Sequence, residues 1–348
     1  MNSVAIKRDS TISIIKGGGI ILMVIGHSGC PKWLHDFIYM FHMPLFFICS
    51  GYFYKGCDNF SNIKTFIQKR LRGLYLPFIK WSLAFLLLHN IFRSINIYSP
   101  ESTIYTNKEM LERLMYITLT MTRNEQLLGA FWFLKTLLLA SCSVAIVDFL
   151  TSKISGLFKG WKMFYIMSLF MISSIIAKAF SLSLPVIGDL SIVCFGSTFY
   201  ILGMLIKQHE VSLKFYQIAI VIIAVFIISQ LLPCEMLTVP PKFMLVYFIC
   251  AAISFIALYS LVKRFISNYS KLVYIGEHTM IILALHFLCF KPVSLIKILY
   301  FNLPIQNLSC FPVIYENNAI MWILYSILGI SIPLLIEYAY IKLKRKLS

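Results

Sequence analysis

Apolar runs of about 18 or more residues recur along this chain between short polar breaks, each long enough to cross a hydrocarbon layer of ~30 Å as a helix. No soluble core absorbs so much apolar sequence. Hydrophobic residues make up 59% of the chain and charged residues 13%, about half the ~25% charge of soluble domains. Backbone polar groups find no water inside lipid, so each span must satisfy its own hydrogen bonds as a helix. The fold class is therefore all-α, a polytopic membrane helix bundle. Its spans lie at approximately 12–29, 34–54, 74–97, 130–150, 163–182, 190–206, 213–232, 243–262, 273–290 and 319–341, ten transmembrane helices in a single domain over residues 1–348.

Basic residues gather in alternate loops. Lys55, Lys64, Lys69, Arg70 and Arg72 follow the second span, Lys153, Lys159 and Lys162 the fourth, Lys207 and Lys214 the sixth, and Lys263, Arg264 and Lys271 the eighth. With Lys7 and Arg8 at the start and Lys342, Lys344, Arg345 and Lys346 at the end, nineteen of the 31 basic residues fall on one side. The opposite loops hold Lys32, Lys108, Arg113, Arg123, Lys242, Lys291 and Lys297. Positive residues mark the cytoplasmic side, so both termini are expected there. The net charge of +17 is thus explained by topology, and no nucleic-acid partner is expected, because the basic residues are not collected on a soluble face.

The nine cysteines stand singly with no CxxC pair, which favours core filling over a disulfide framework or zinc site. Lys7 and Arg8 before an apolar stretch resemble a signal peptide, but a second span follows directly and no A-x-A site is evident, so a retained first helix is expected. Two longer polar loops stand at about 98–129 and 291–318. The first contains Met110 to Met121, which fits a short interfacial helix, with Glu109, Glu112 and Arg113 on its solvated face.

An ionisable side chain inside a span costs at least ~2.5 kcal/mol for Lys at mid-helix, so it faces a partner or a cavity. Lys16 falls in the cytoplasmic half of the first span and His27 near its outer end, about three turns and ~16 Å apart on nearly one face. His42 falls in the outer half of the second span with Ser50 deeper, and His286 in the outer part of the ninth. Three histidines from three helices at one depth form a candidate reaction chamber. A structural hydrogen bond between helices accounts for each histidine singly, as snorkelling does for Lys16. His89 is expected to reach the interface, and Lys135 and Lys178 stay ambiguous. No spacing favours a metal. Gly17, Gly18 and Gly19 after Lys16 lack the GK[ST] ending of a phosphate loop; close helix packing is the alternative reading of exposed backbone there.

The segment SIIKGGGIILMVIGHS (13–28) followed by FHMPLFFICSGYFY (41–54) resembles the opening of acyltransferase family 3, bacterial integral-membrane enzymes that acylate surface polysaccharides and related acceptors. AFWFLKTLLLA (130–140) is similar to the family's WFL-containing helix, and YIGEHTMIILALHFL (274–288) to a late helix in which a glycine, here Gly276, precedes a histidine, here His286, by ten residues. The resemblance is weak between roughly 150 and 270. It implies an essential histidine at His27, a basic partner at Lys16, recurrent positions at His42 and His286, and substrate-binding positions at Ser50 and Trp132. Many relatives carry aspartate three residues before the basic residue, where this chain has Ser13.

The resemblance implies transfer of an acyl group, usually acetyl from acetyl-CoA, to a sugar hydroxyl, with acyl-CoA as donor substrate and no bound cofactor. The expected partners are the lipid bilayer, acyl-CoA, a polysaccharide or lipid-linked sugar, and polysaccharide-assembly proteins. A basic inner face with Lys16, Arg70 and Arg72 suits a polyanionic donor. Histidine suits removal of a hydroxyl proton at neutral pH. His27 acts there as general base or as covalent acyl carrier, with His42 or His286 orienting the acceptor or donating to the oxyanion. The rival is a transporter or flippase for a lipid-linked sugar or small solute, in which the buried Lys and His line a pathway; a structural subunit of an assembly would need no His27.

Overall fold

The computed structural model describes residues 10–152, 160–266, 269–316 and 319–347; Lys7, Arg8, Lys153 and Lys159 lie outside them. The first apolar segment forms α1 (Ser10–His27). The second is broken: α2 (Lys32–Tyr39) ends at Met40 and Phe41, and α3 (His42–Gly51) begins afresh. A helix α4 (Phe60–Arg70) replaces the expected basic loop and runs through a π-helical turn, Leu71–Tyr75, into α5 (Leu76–Ser94). Then come α6 (Asn107–Thr120), α7 (Trp132–Ser152), α8 (Lys162–Ala179), a short antiparallel pair β1 (Ser183–Leu184) and β2 (Gly188–Asp189), α9 (Leu190–His209), α10 (Phe215–Leu231) and α11 (Met244–Leu261). The chain closes with α12 (Ser270–Glu277), α13 (Thr279–Phe301) and α14 (Met321–Leu347).

Among the described residues, eight helical stretches are long and apolar enough to cross a membrane, and α10 is an apolar helix of 17 residues. With the broken α2–α3 pair they account for the ten apolar segments, and the protein is a helical membrane bundle. Helix α9 is buried along most of its length against α3, α7 and α8, whereas α10 and α14 expose large apolar side chains such as Leu231 and Leu335. Apolar side chains facing lipid tails lose nothing by it, so close packing rather than hydrophobic burial must hold these helices together.

That packing depends on two backbone-to-backbone crossings. A β-carbon on Gly51 would sit 1.7 Å from the Tyr200 carbonyl oxygen, and one on Gly203 would sit 2.0 Å from that of Ile48, so α3 and α9 touch along their main chains. Likewise Gly276 faces the Ser13 carbonyl at 1.7 Å and Gly17 that of Leu272 at 2.4 Å, which joins α1 to α12. Of the two readings of the glycine run, Gly17 and Gly19 therefore serve packing, while Gly18 has open space beside it.

The late polar loop differs from expectation. Helix α13 continues to Phe301, which places Lys291 and Lys297 within it, both buried. Lys291 Nζ donates to the Leu308 and Cys310 carbonyls at 2.8 and 2.9 Å, and Lys297 Nζ to those of Ile314 and Glu316 at 2.7 and 2.6 Å. Two ammonium groups thus hold residues 302–316 as a strap folded back along α13, and carbonyl dipoles offset the cost of burying them. Tyr54 of the SGYFY segment is also anchored: its hydroxyl donates to Asp148 at 2.7 Å, and Lys162 pairs with the same carboxylate.

Gly203→Ala is expected to lower the thermal midpoint of the purified protein in detergent, at a cost of about 1–3 kcal/mol for a forced helix separation. Gly18→Ala should leave the midpoint unchanged or raise it, since nothing lies within 4 Å of the added carbon.

Candidate functional site

Four helices turn one face each toward an internal cavity of about 650 Å³. On α1 the lining residues are Lys16, Ile20, Met23 and His27, spaced four, three and four apart, so a single helical stripe runs the length of the cavity. Helix α3 contributes His42, Phe46, Cys49 and Ser50, α7 begins in the wall with Trp132 and Phe133, and α13 adds Met280, Leu283 and Phe287. The break at Met40 and Phe41 has a consequence here. It sets His42 in the first turn of a new helix, where Pro44 costs no interior hydrogen bond, and turns α2 so that His35 and Tyr39, one turn apart, face the same space.

Five of the six residues singled out from sequence line this cavity: Lys16, His27, His42, Ser50 and Trp132. His286 stands directly behind, fully buried, with its ring stacked on that of His27 at 5.5 Å between centroids and 27° between planes. Its Nδ1 lies 3.0 and 3.1 Å from the Ile282 and Leu283 carbonyls, and His42 Nδ1 lies 3.0 Å from the Ile38 carbonyl. A carbonyl only accepts, so both rings carry their hydrogen at Nδ1 when neutral and present a lone pair at Nε2. Either could donate to an oxyanion from Nε2 only as the imidazolium. His286 Nε2 is buried and has no hydrogen-bond partner among the described residues. His27 differs, because its Nδ1 meets the Tyr39 hydroxyl at 3.1 Å.

The Lys16 end of the cavity is basic. Arg70, the residue before the π-helical turn, lines it and donates to Ser50 Oγ at 2.8 Å and to the Tyr200 hydroxyl. Ser50 is thereby engaged by a guanidinium, whereas Arg72, grouped with Arg70 from sequence, lies outside this wall. Residues two apart on a helix stand about 200° apart around its axis, which accounts for the separation of the two arginines. Residues missed from sequence are His35, Tyr39, Glu235 and, from the strap, Phe311 and Tyr315. Glu235 carried a signal, being the one acidic residue between Glu210 and Glu277.

His89 and Lys178 have structural partners. His89 is enclosed by the protein. It is buried with Nδ1 at 2.7 Å from Glu125, stacks on Tyr105 at 3.5 Å, and lies under Arg113, whose guanidinium covers the other face of that ring. Burial pushes the Glu125 carboxyl above the ordinary carboxylate range, and His89 and Arg113 oppose that shift. The group pins the segment after α5, including α6 with its Thr106–Glu109 capping box, onto the bundle. Lys178 donates to the Leu237 carbonyl at 2.8 Å. Among the described residues, no three His, Cys, Asp or Glu side chains gather as a metal-ligating group.

Fold and site together define an integral membrane protein whose helices enclose a histidine-walled chamber with a basic end. Residues 9–338 match the model of acyltransferase family 3, described as an acyltransferase domain, and the chain belongs to that family. The chain is 35% identical over 86 residues to nodulation protein NolL of Sinorhizobium fredii (strain NBRC 101917 / NGR234), covering 22% of this chain and 24% of that one. To nodulation protein NolL of Mesorhizobium japonicum (strain LMG 29417 / CECT 9101 / MAFF 303099) it is 27% identical over 139 residues, 37% of this chain and 33% of the relative. The matches thus span a quarter to a third of these relatives. No solved structure matches.

His89→Ala should leave the buried Glu125 carboxyl without its nearest partner and cost about 3 kcal/mol, read as a lowered thermal midpoint.

Proposed function

We propose that this acyltransferase moves an acetyl group, or another short acyl group, from cytoplasmic acyl-CoA to a hydroxyl of a surface polysaccharide or lipid-linked sugar, in a bacterial cytoplasmic membrane with both termini inside. The observation that carries this reading is the shape of the cavity: one continuous space has Lys16 and Arg70 at one end and His27 at the other. Lys16 and Arg70 supply positive charge for a polyanionic donor at the cytoplasmic end. The thioester would reach inward along the α1 stripe toward the histidines, where an acceptor entering from the far side brings its hydroxyl.

Chemistry then follows from ordinary acid–base steps. A sugar hydroxyl gives its proton to His27 as its oxygen attacks the thioester carbonyl. The tetrahedral intermediate collapses, the carbon–sulfur bond breaks, and the CoA thiolate takes the proton back from the imidazolium. Trp132 and Phe133 at the start of α7 provide an apolar wall that keeps bulk water from competing as acceptor. His42, which lines the cavity with its lone pair at Nε2, accepts a hydrogen bond from the acceptor, while His286 backs the His27 ring from outside the cavity. The product side holds Glu235, Tyr315 and His35, groups suited to hydrogen-bonding sugar hydroxyls.

The protein purified into lipid, given radiolabelled acetyl-CoA and a panel of glycan acceptors, is expected to transfer label. His27→Ala should reduce transfer at least ~100-fold in a folded protein, and undiminished transfer would remove His27 from the mechanism. Lys16→Ala should chiefly raise KM for acetyl-CoA, with Lys16→Arg close to native; equal loss in both would contradict a charge-binding role.

A further inference from the structure

Of the three histidines His27, His42 and His286, only one has an Nδ1 partner that can both donate and accept. His42 and His286 each direct Nδ1 at backbone carbonyls, which fixes the proton at that nitrogen in the neutral ring. His27 Nδ1 faces the hydroxyl of Tyr39 at 3.1 Å, and a phenol both donates and accepts.

Tyr39 is itself held from several directions. Its ring stacks on His35 at 3.8 Å and 22°, meets His42 at 4.7 Å and 63°, and stands edge-on to His27 at 6.0 Å and 89°. Its backbone carbonyl accepts from the Tyr247 hydroxyl at 3.0 Å. Gly26 leaves the space the ring occupies, since a β-carbon there would come within 2.8 Å of Tyr39 Cε2. The Glu235 side chain lines the same cavity as Tyr39.

From this arrangement we infer that Tyr39 is a positioning residue for His27: its hydroxyl oxygen accepts the Nδ1–H of His27, which leaves Nε2 as the reacting nitrogen facing the cavity. This rests on the reading of His27 as the general base. The proton of the acceptor hydroxyl moves to His27 Nε2 and then to the departing CoA thiolate, while the Tyr39 proton stays on its own oxygen throughout. The Nδ1–H to Tyr39 bond strengthens as the imidazolium forms, because a charged donor makes the stronger bond. Tyr39 thus does for His27 what a carboxylate does in a hydrolase triad, without placing a full charge in the membrane.

Tyr39→Phe keeps every ring contact and removes only the hydroxyl. With acetyl-CoA and a mixture of methyl hexosides as the probe acceptors, kcat is expected to fall about 10- to 100-fold with KM for acetyl-CoA unchanged. Nitrogen NMR of histidine-labelled protein in lipid nanodiscs, with His27 assigned by difference from His27→Asn, should show the Nδ1–H tautomer in the native protein and a mixture of tautomers in Tyr39→Phe. An unchanged kcat, a parallel rise in KM with no change of tautomer, or a native His27 protonated at Nε2 would each overturn the inference. Absence of any acyl transfer by the native protein would instead sink the functional reading, and the native tautomer alone would then decide the role of Tyr39.

Discussion

Within a bilayer no water stands ready to replace a missing hydrogen bond, and the buried charges that anchor this bundle are held accordingly. The ammonium groups of Lys291 and Lys297 are capped by carbonyls of the returning strap. Arg70 is shared between Ser50 and Tyr200, and Asp148 collects Tyr54, the Cys57 amide and Lys162. Among the described residues four buried side-chain atoms have no hydrogen-bond partner, Ser82 Oγ, Tyr98 Oη, Glu125 Oε1 and His286 Nε2, and the last belongs to the ring stacked behind His27. An unsatisfied nitrogen in that position costs free energy that packing elsewhere must offset, a pattern typical of functional sites.

The cavity exists because the helices around it are fixed elsewhere. Main-chain contacts of α3 with α9 and of α1 with α12 lock the two helices that carry the N-terminal motif residues, through Gly51, Gly203, Gly17 and Gly276. Side chains on the opposite faces of α1 and α3 are then left to line a space instead of filling one. The strap contributes to the wall at the far end, where Phe311 packs on Phe287 at 4.6 Å and Phe287 in turn lies 5.0 Å from His27. Buried charge, close glycine crossings and an unfilled chamber are thus parts of one construction.

Much of the bundle was legible in the sequence, since apolar runs between basic loops leave few alternatives to membrane helices. Lys16, His27 and His42 were legible as a site because helical spacing puts the first two on one stripe and the FHMP segment puts the third near it. The break between α2 and α3 carries no Gly or Pro at Met40 or Phe41 and was therefore invisible locally. Lys291 and Lys297 looked like the end of a span, because their partners lie 17 and 19 residues downstream and are backbone atoms. Tyr39 is one of 19 tyrosines, and only the bend that aims α2 back at α1 distinguishes it from the others.

The central claim is that one cavity joins a donor on one membrane face to an acceptor on the other. Vesicles bearing the protein in a single orientation, reported by protease access to a tag on the basic C-terminal segment, test it directly with impermeant acetyl-CoA and an impermeant glycan. Transfer is predicted when acetyl-CoA is on the side of Lys342–Lys346 and the glycan on the opposite side. Transfer only when both substrates share a compartment would contradict the account.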